Sequence, residues 1–186
     1  MYELPTCVEV GGVEVPIESD YRAALDICVA LSDPELSEAE KAEVMISIFY
    51  PEWENIEPRD YQEAINRCVW FINGGSDSQP TRKSPKLMDW EQDFQHIVAP
   101  INRVMGQEIR GMKYLHWWTF LSAYYEIGDC LFAQIVRIRN KRAMGKQLTK
   151  EEKEWYRQNR NLVDLKTVYT QAEQNLLENF LKKAGD

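Results

Sequence analysis

Tyr114-Leu-His-Trp-Trp-Thr-Phe120 places a histidine and two adjacent tryptophans inside a run of apolar residues at helical spacing. The chain holds only two histidines and six tryptophans, so the stretch is either the centre of a core or the wall of a site. Leu115, Trp118, Leu121 and Tyr125 continue through Gly128, Phe132, Ile135 and Ile138 at intervals of three and four. That spacing predicts one long amphipathic helix. On such a helix Trp118 faces the core. Trp117, rotated by about 100°, meets a neighbouring helix or a partner.

Outward from this block the helical period recurs on both sides. Upstream, Met88-Asp89-Trp90 opens a helix running toward Val104, with Pro100 as a point of kinking and Gly106 at its end. Downstream, Thr149-Lys-Glu-Glu152 is a capping box, in which hydroxyl and carboxylate each satisfy an orphan amide. It opens a terminal helix expected to reach about Lys183. Three further helices precede the block: one from Ser19, one opened by the capping box Ser37-Glu-Ala-Glu40, and one that starts near Pro58 and ends at Asn73-Gly74-Gly75.

At the N-terminus, Val8 and Val10, then Val13, Val15 and Ile17, alternate with polar residues or proline around Gly11-Gly12, the signature of a hairpin with a two-residue turn. The expected fold is therefore mainly α, about six helices in a bundle with a short N-terminal β-hairpin. It divides into 1–73 (hairpin and three helices), 74–86 (a Gly/Ser/Pro-rich linker or loop), 87–148 (a two-helix core segment with the Leu-His-Trp-Trp block) and 149–186 (the terminal helix, a candidate association arm).

Composition narrows the function. At 186 residues the chain is one domain, or one with an appended arm, and large enough to bury a core without staples. A net charge of −8 argues against a phosphate backbone as the main partner, because binding there needs Lys and Arg in excess. Four scattered cysteines, Cys7, Cys28, Cys68 and Cys130, form no CxxC pair, and no export signal or membrane-length apolar run is visible. These features point to reduced thiols in a cytoplasm.

Four constellations can carry chemistry. Asp89, Asp93 and His96 fall at i, i+4 and i+7 on one helical face, and with His116 they supply ligands suited to Zn, Mn or Fe. That set would make a metal-dependent hydrolase. The spacing is no recognised metal signature, and an Asp–His hydrogen bond between the two helices is the preferred alternative. His116 is also a candidate general base, although no nucleophile motif accompanies it. Arg137-Ile-Arg-Asn-Lys-Arg142 is the one basic cluster and the candidate nucleic-acid contact; it equally suits a helix C-terminus. Finally, Trp155, Leu162, Tyr169 and Leu176 recur every seven residues on the terminal helix, beside a second stripe of Tyr156, Val163 and Leu177. This heptad-like seam serves either packing onto the chain's own domain or association with a partner or second copy. No cofactor-binding fingerprint is present.

Several blocks together resemble one family. Val15-Pro-Ile-Glu-Ser-Asp-Tyr-Arg22, Asp89-Trp-Glu-Gln-Asp-Phe-Gln-His-Ile97, Tyr114-Leu-His-Trp-Trp-Thr-Phe120 and Ile135-Val-Arg-Ile-Arg139 are similar to the corresponding blocks of the bacteriophage gene-product-fifteen family, proteins encoded among the tail genes of long-tailed temperate phages and prophages. The terminal helix is the part that matches least. The resemblance transfers no catalytic residue and implies no cofactor. It implies a non-enzymatic role in tail morphogenesis in the host cytoplasm, as an assembly chaperone or scaffold binding a tape-measure or tail-tube protein. Trp117, Trp155, Leu162, Tyr169 and Leu176 are the candidate partner-binding residues, with membrane and nucleic acid disfavoured.

Overall fold

A computed structural model describes residues 3–76 and 85–166. The hairpin pairs β1 (Cys7–Val10) with β2 (Val13–Pro16) in antiparallel register, Val10 opposite Val13 and Cys7 opposite Pro16. Gly11 and Gly12 adopt φ of 60° and 78°, as the two-residue turn requires. Val8 and Val10 of β1 are buried, whereas Val13 on β2 is 63% exposed.

Eight helices follow among the described residues: α1 (Tyr21–Ser32), α2 (Glu38–Phe49), α3 (Tyr61–Ile72), α4 (Trp90–Met105), α5 (Trp117–Tyr125), α6 (Leu131–Ala143), α7 (Lys150–Gln158) and the single turn α8 (Arg160–Val163). Both capping boxes form as the sequence predicts, at Ser37/Glu40 and Thr149/Glu152. The hairpin rests on α3: Arg67 Nε donates to Glu9 O at 3.0 Å, and Gly11 N donates to Glu63 Oε2 at 3.0 Å. Residues from 1–73 and from 87–148 share one core that includes Ile27, Phe49, Phe71, Ile97, Ile101 and Phe120.

The count of eight rather than about six comes from two breaks. The expected long helix is interrupted between Tyr125 and Leu131, where Gly128 takes a left-handed φ of 62° and Cys130 Sγ caps the start of α6. Gly128 fits the spacing of the apolar stripe, yet it is the residue that lets the chain leave the helix.

The expected terminal helix breaks at Asn159 (φ −118°, ψ 28°), whose side chain donates to Trp155 O at 2.9 Å beside its own backbone N–H at 3.0 Å. After α8 the backbone turns extended at Asp164 (φ −69°, ψ 124°). Trp155 and Leu162 therefore do not share a single helix. Tyr169 and Leu176, with the rest of the expected helix, lie outside the described residues.

Candidate functional site

The block that opened the sequence reading begins in extended backbone, not in a helix. Asp20 and His116 form an isolated antiparallel bridge, with Tyr21 N donating to Leu115 O at 2.9 Å and Trp117 N to Ser19 O at 2.8 Å. Asp20 also accepts from Leu115 N while capping α1. α5 thus starts only at Trp117, so Leu115 does not set the phase of its stripe. This reverses the two tryptophans: Trp117 is 1% exposed and stacks on Phe120, with ring centroids 5.4 Å apart, while Trp118 is half-buried. Trp117 is a core residue and presents nothing to a partner.

The twin tryptophans have a joint task. Trp117 Nε1 donates to Ile72 O at 3.0 Å and Trp118 Nε1 to Phe71 O at 2.9 Å. Those carbonyls belong to the last turn of α3, beyond its regular ladder; Phe71 O also accepts from Gly74 N at 3.0 Å. Two adjacent indoles cap two adjacent carbonyls. His116 does the same for its own helix: its Nδ1 accepts from Trp118 N at 3.0 Å, and the other ring nitrogen, then the protonated one, donates to Pro5 O at 3.0 Å. The histidine is buried at 3% exposure with both nitrogens engaged.

The four candidate metal ligands do not converge. Asp89 caps α4 through Gln92 N and pairs with Lys86 at 2.7 Å. Burial pushes its carboxyl up, but Lys86 and the backbone amides pull it further down, leaving it below its usual value. Asp93 is fully buried, and Arg139 grips it through two nitrogens, Nη1–Oδ2 at 2.5 Å and Nη2–Oδ1 at 3.0 Å. Asp89 N also donates to Asp93 at 2.9 Å. The expected bond from His116 to the Asp89–Asp93 helix is absent, because each side is already committed elsewhere. No group of three or more His, Cys, Asp or Glu side chains able to hold a metal occurs among the described residues.

The basic cluster is also spent largely inside the fold. Besides Asp93, Arg139 serves three carbonyls: Nε to Val163 O at 2.6 Å, Nη1 to Leu87 O at 3.1 Å and Nη2 to Leu162 O at 3.0 Å. Lys141 pairs with Glu152 at 2.6 Å. Arg142 pairs with Asp164 and lies over the Tyr156 ring at 4.3 Å from its centroid. Arg137 is exposed and, with Lys141, helps to hold the Glu152 carboxyl below its usual value. Sequence reading missed the Arg139–Asp93 grip. Its signal was present, since Arg139 follows Ile135 by four residues on a buried face, where a guanidinium requires a carboxylate.

Several cavities open on the described surface, and two of them join in a groove between α1 and α4. One cavity of about 250 Å³ is bordered by Val29, Asp33, Trp90, Glu91 and Lys166, and a second of about 410 Å³ by Leu25, Val29, Trp90, Glu91 and Phe94. Its floor is apolar, formed by Leu25, Val29, Trp90 and Phe94, and its rim is charged. Among the described residues no helix is long and apolar enough to cross a membrane.

Neither a curated protein nor a solved structure matches this chain. A family model described as Bacteriophage Gp15 protein matches residues 1–165, a span that takes in every element described above. The resemblance carried by the paired-aspartate helix and the Leu-His-Trp-Trp block thus extends over nearly the whole sequence, and the chain belongs to the Bacteriophage Gp15 family.

Proposed function

We propose that this protein is a phage or prophage tail-morphogenesis factor, a non-catalytic assembly chaperone or scaffold that binds another tail protein in the host cytoplasm. The observation that carries the reading is membership in a phage family over residues 1–165. Two features of the fold support it. The groups with most chemical potential are bonded within the protein: Asp93 and Arg139 join α4, α6 and α8, and His116 ties the start of α5 to Pro5. The exposed apolar surface between α1 and α4, by contrast, is suited to an amphipathic helix. A tape-measure or tail-tube protein is the proposed client.

Removing the gene from an inducible prophage tests the role. The expected product is particles with absent or aberrant tails, restored by the gene supplied in trans. Normal tails in the deletion strain would refute the proposal.

A further inference from the structure

A further groove opens between α2 and α3. Its floor is Ala39, Ala42 and Ile46, which fall at i, i+3 and i+7 on one face of α2, and its walls are Trp53, Tyr61 and Ile65. The cavity is about 380 Å³. Ala39 is exposed, and Ala42, Trp53, Tyr61 and Ile65 are half-buried, so apolar surface faces outward along the trough. The two alanines let another backbone approach closely, and tryptophan and tyrosine are the residues that most often anchor protein contacts. Among the described residues the Trp53 indole N–H and the Tyr61 hydroxyl make no hydrogen bond, unlike the indoles of Trp117 and Trp118.

Charge selects the occupant. Residues 35–65, the stretch that builds the groove, hold nine acidic and two basic side chains in a chain of net charge −8. The two cations are already engaged, Lys41 by Glu38 and Arg59 by Glu57 and Asp60. Glu43 is the one charged side chain lining the cavity, and it stands exposed with no hydrogen bond or ion pair among the described residues. Glu54, beside Trp53, has none there either. No cation lines this groove, whereas the α1–α4 groove mixes Arg22 and Arg110 with Asp26 and Glu91.

We propose that the α2–α3 groove binds a basic amphipathic helix of another protein. The apolar face of that helix lies on Ala39, Ala42, Trp53 and Tyr61, and a Lys or Arg flanking the face pairs with Glu43. The acidic surroundings speed the encounter, and the apolar trough holds what arrives. This rests on reading the protein as a binding factor, and it adds the site and the charge of the partner.

A synthetic helical peptide of about 18 residues tests the groove without any tail protein. One version carries leucine at i, i+3, i+4 and i+7 with lysine elsewhere; the other has glutamate in place of lysine. By fluorescence anisotropy the lysine peptide is expected to bind and the glutamate peptide not. Glu43→Lys should weaken binding about fivefold or more, as an ion pair becomes a repulsion, and so should Ala39→Arg, which sets a cation in the trough. Glu126→Lys, just past α5, makes the same change in net charge and should leave affinity within about twofold at physiological salt. Equal losses for Glu43→Lys and Glu126→Lys would overturn the proposal, because the attraction would then be to the chain's charge as a whole. Binding of both peptides alike, binding of neither, or unchanged affinity in Ala39→Arg would also overturn it. None of these results bears on tail formation, which the deletion strain reads separately.

Discussion

Arg139 and Asp93, 46 residues apart in sequence, form a bidentate ion pair with side-chain exposures of 5% and 0%. The same guanidinium reaches the carbonyls of Leu87, Leu162 and Val163. One side chain therefore ties α6 to the approach to α4 and to the last described turn of the chain. Removing either member strands a buried charge, so Arg139→Ala or Asp93→Asn should cost about 3–5 kcal/mol in denaturant unfolding. Arg139→Lys should recover little, because an ammonium cannot serve five acceptor contacts in a fork. A loss below about 1 kcal/mol would show that the pair does not hold these elements together.

Gly75 should be intolerant of any side chain. Its φ is +83°, and a Cβ there would stand 2.8 Å from the ring of Trp118. That ring is held by its bond to Phe71 O and cannot give way cheaply. Gly75→Ala is expected to destabilise by about 1–3 kcal/mol. Gly12 has a similar φ of +78° with nothing within 4 Å, so Gly12→Asn should cost far less. Equal losses at the two sites would contradict the packing assigned to Trp118.

Acid should loosen the C-terminal end of the fold through Asp164. Burial pushes this carboxyl up, but Arg160, Arg142 and the Tyr156 hydroxyl pull it further down, to a net value below its usual 3.8. A depressed pKa contributes stability above the unfolded value and loses it as pH falls through the folded one. Asp164→Asn should therefore flatten the decline in unfolding free energy from about pH 5 to about pH 3. An unchanged acid limb would remove Asp164 from the account.

Two thiols should be slow to react in the folded protein. Burial pushes both Cys28 and Cys68 from 9.0 up to about 12. That shift lowers the thiolate fraction near neutral pH about a thousandfold. The raised values also add stability that is complete below 9.0 and lost as pH rises toward 12. Iodoacetamide labelling followed by peptide mapping should find both positions protected until denaturant is added. Labelling at equal rates in folded and unfolded protein would refute it.

Features set by neighbouring residues were legible in the sequence. The Gly11-Gly12 turn and the two capping boxes are complete within four residues, so their chemistry is visible without the fold. What escaped depends on residues far apart. Leu115 looks helical by spacing, but the bridge from Asp20 to His116 holds it extended, and this shifted the burial of Trp117 and Trp118. Asp89, Asp93, His96 and His116 suggested a metal set only while Arg139 and Pro5 were not known to be the partners of Asp93 and His116. The family was readable because it rests on the block of residues itself, whatever their bonding.

Co-purification measures the proposed binding of a tail protein most directly. The chain, affinity-tagged and co-expressed with tape-measure and tail-tube proteins of a long-tailed phage, is predicted to retain one of them in a defined ratio through gel filtration. Recovery of the chain alone, strictly monomeric by sedimentation and with no tail protein retained, would contradict the account.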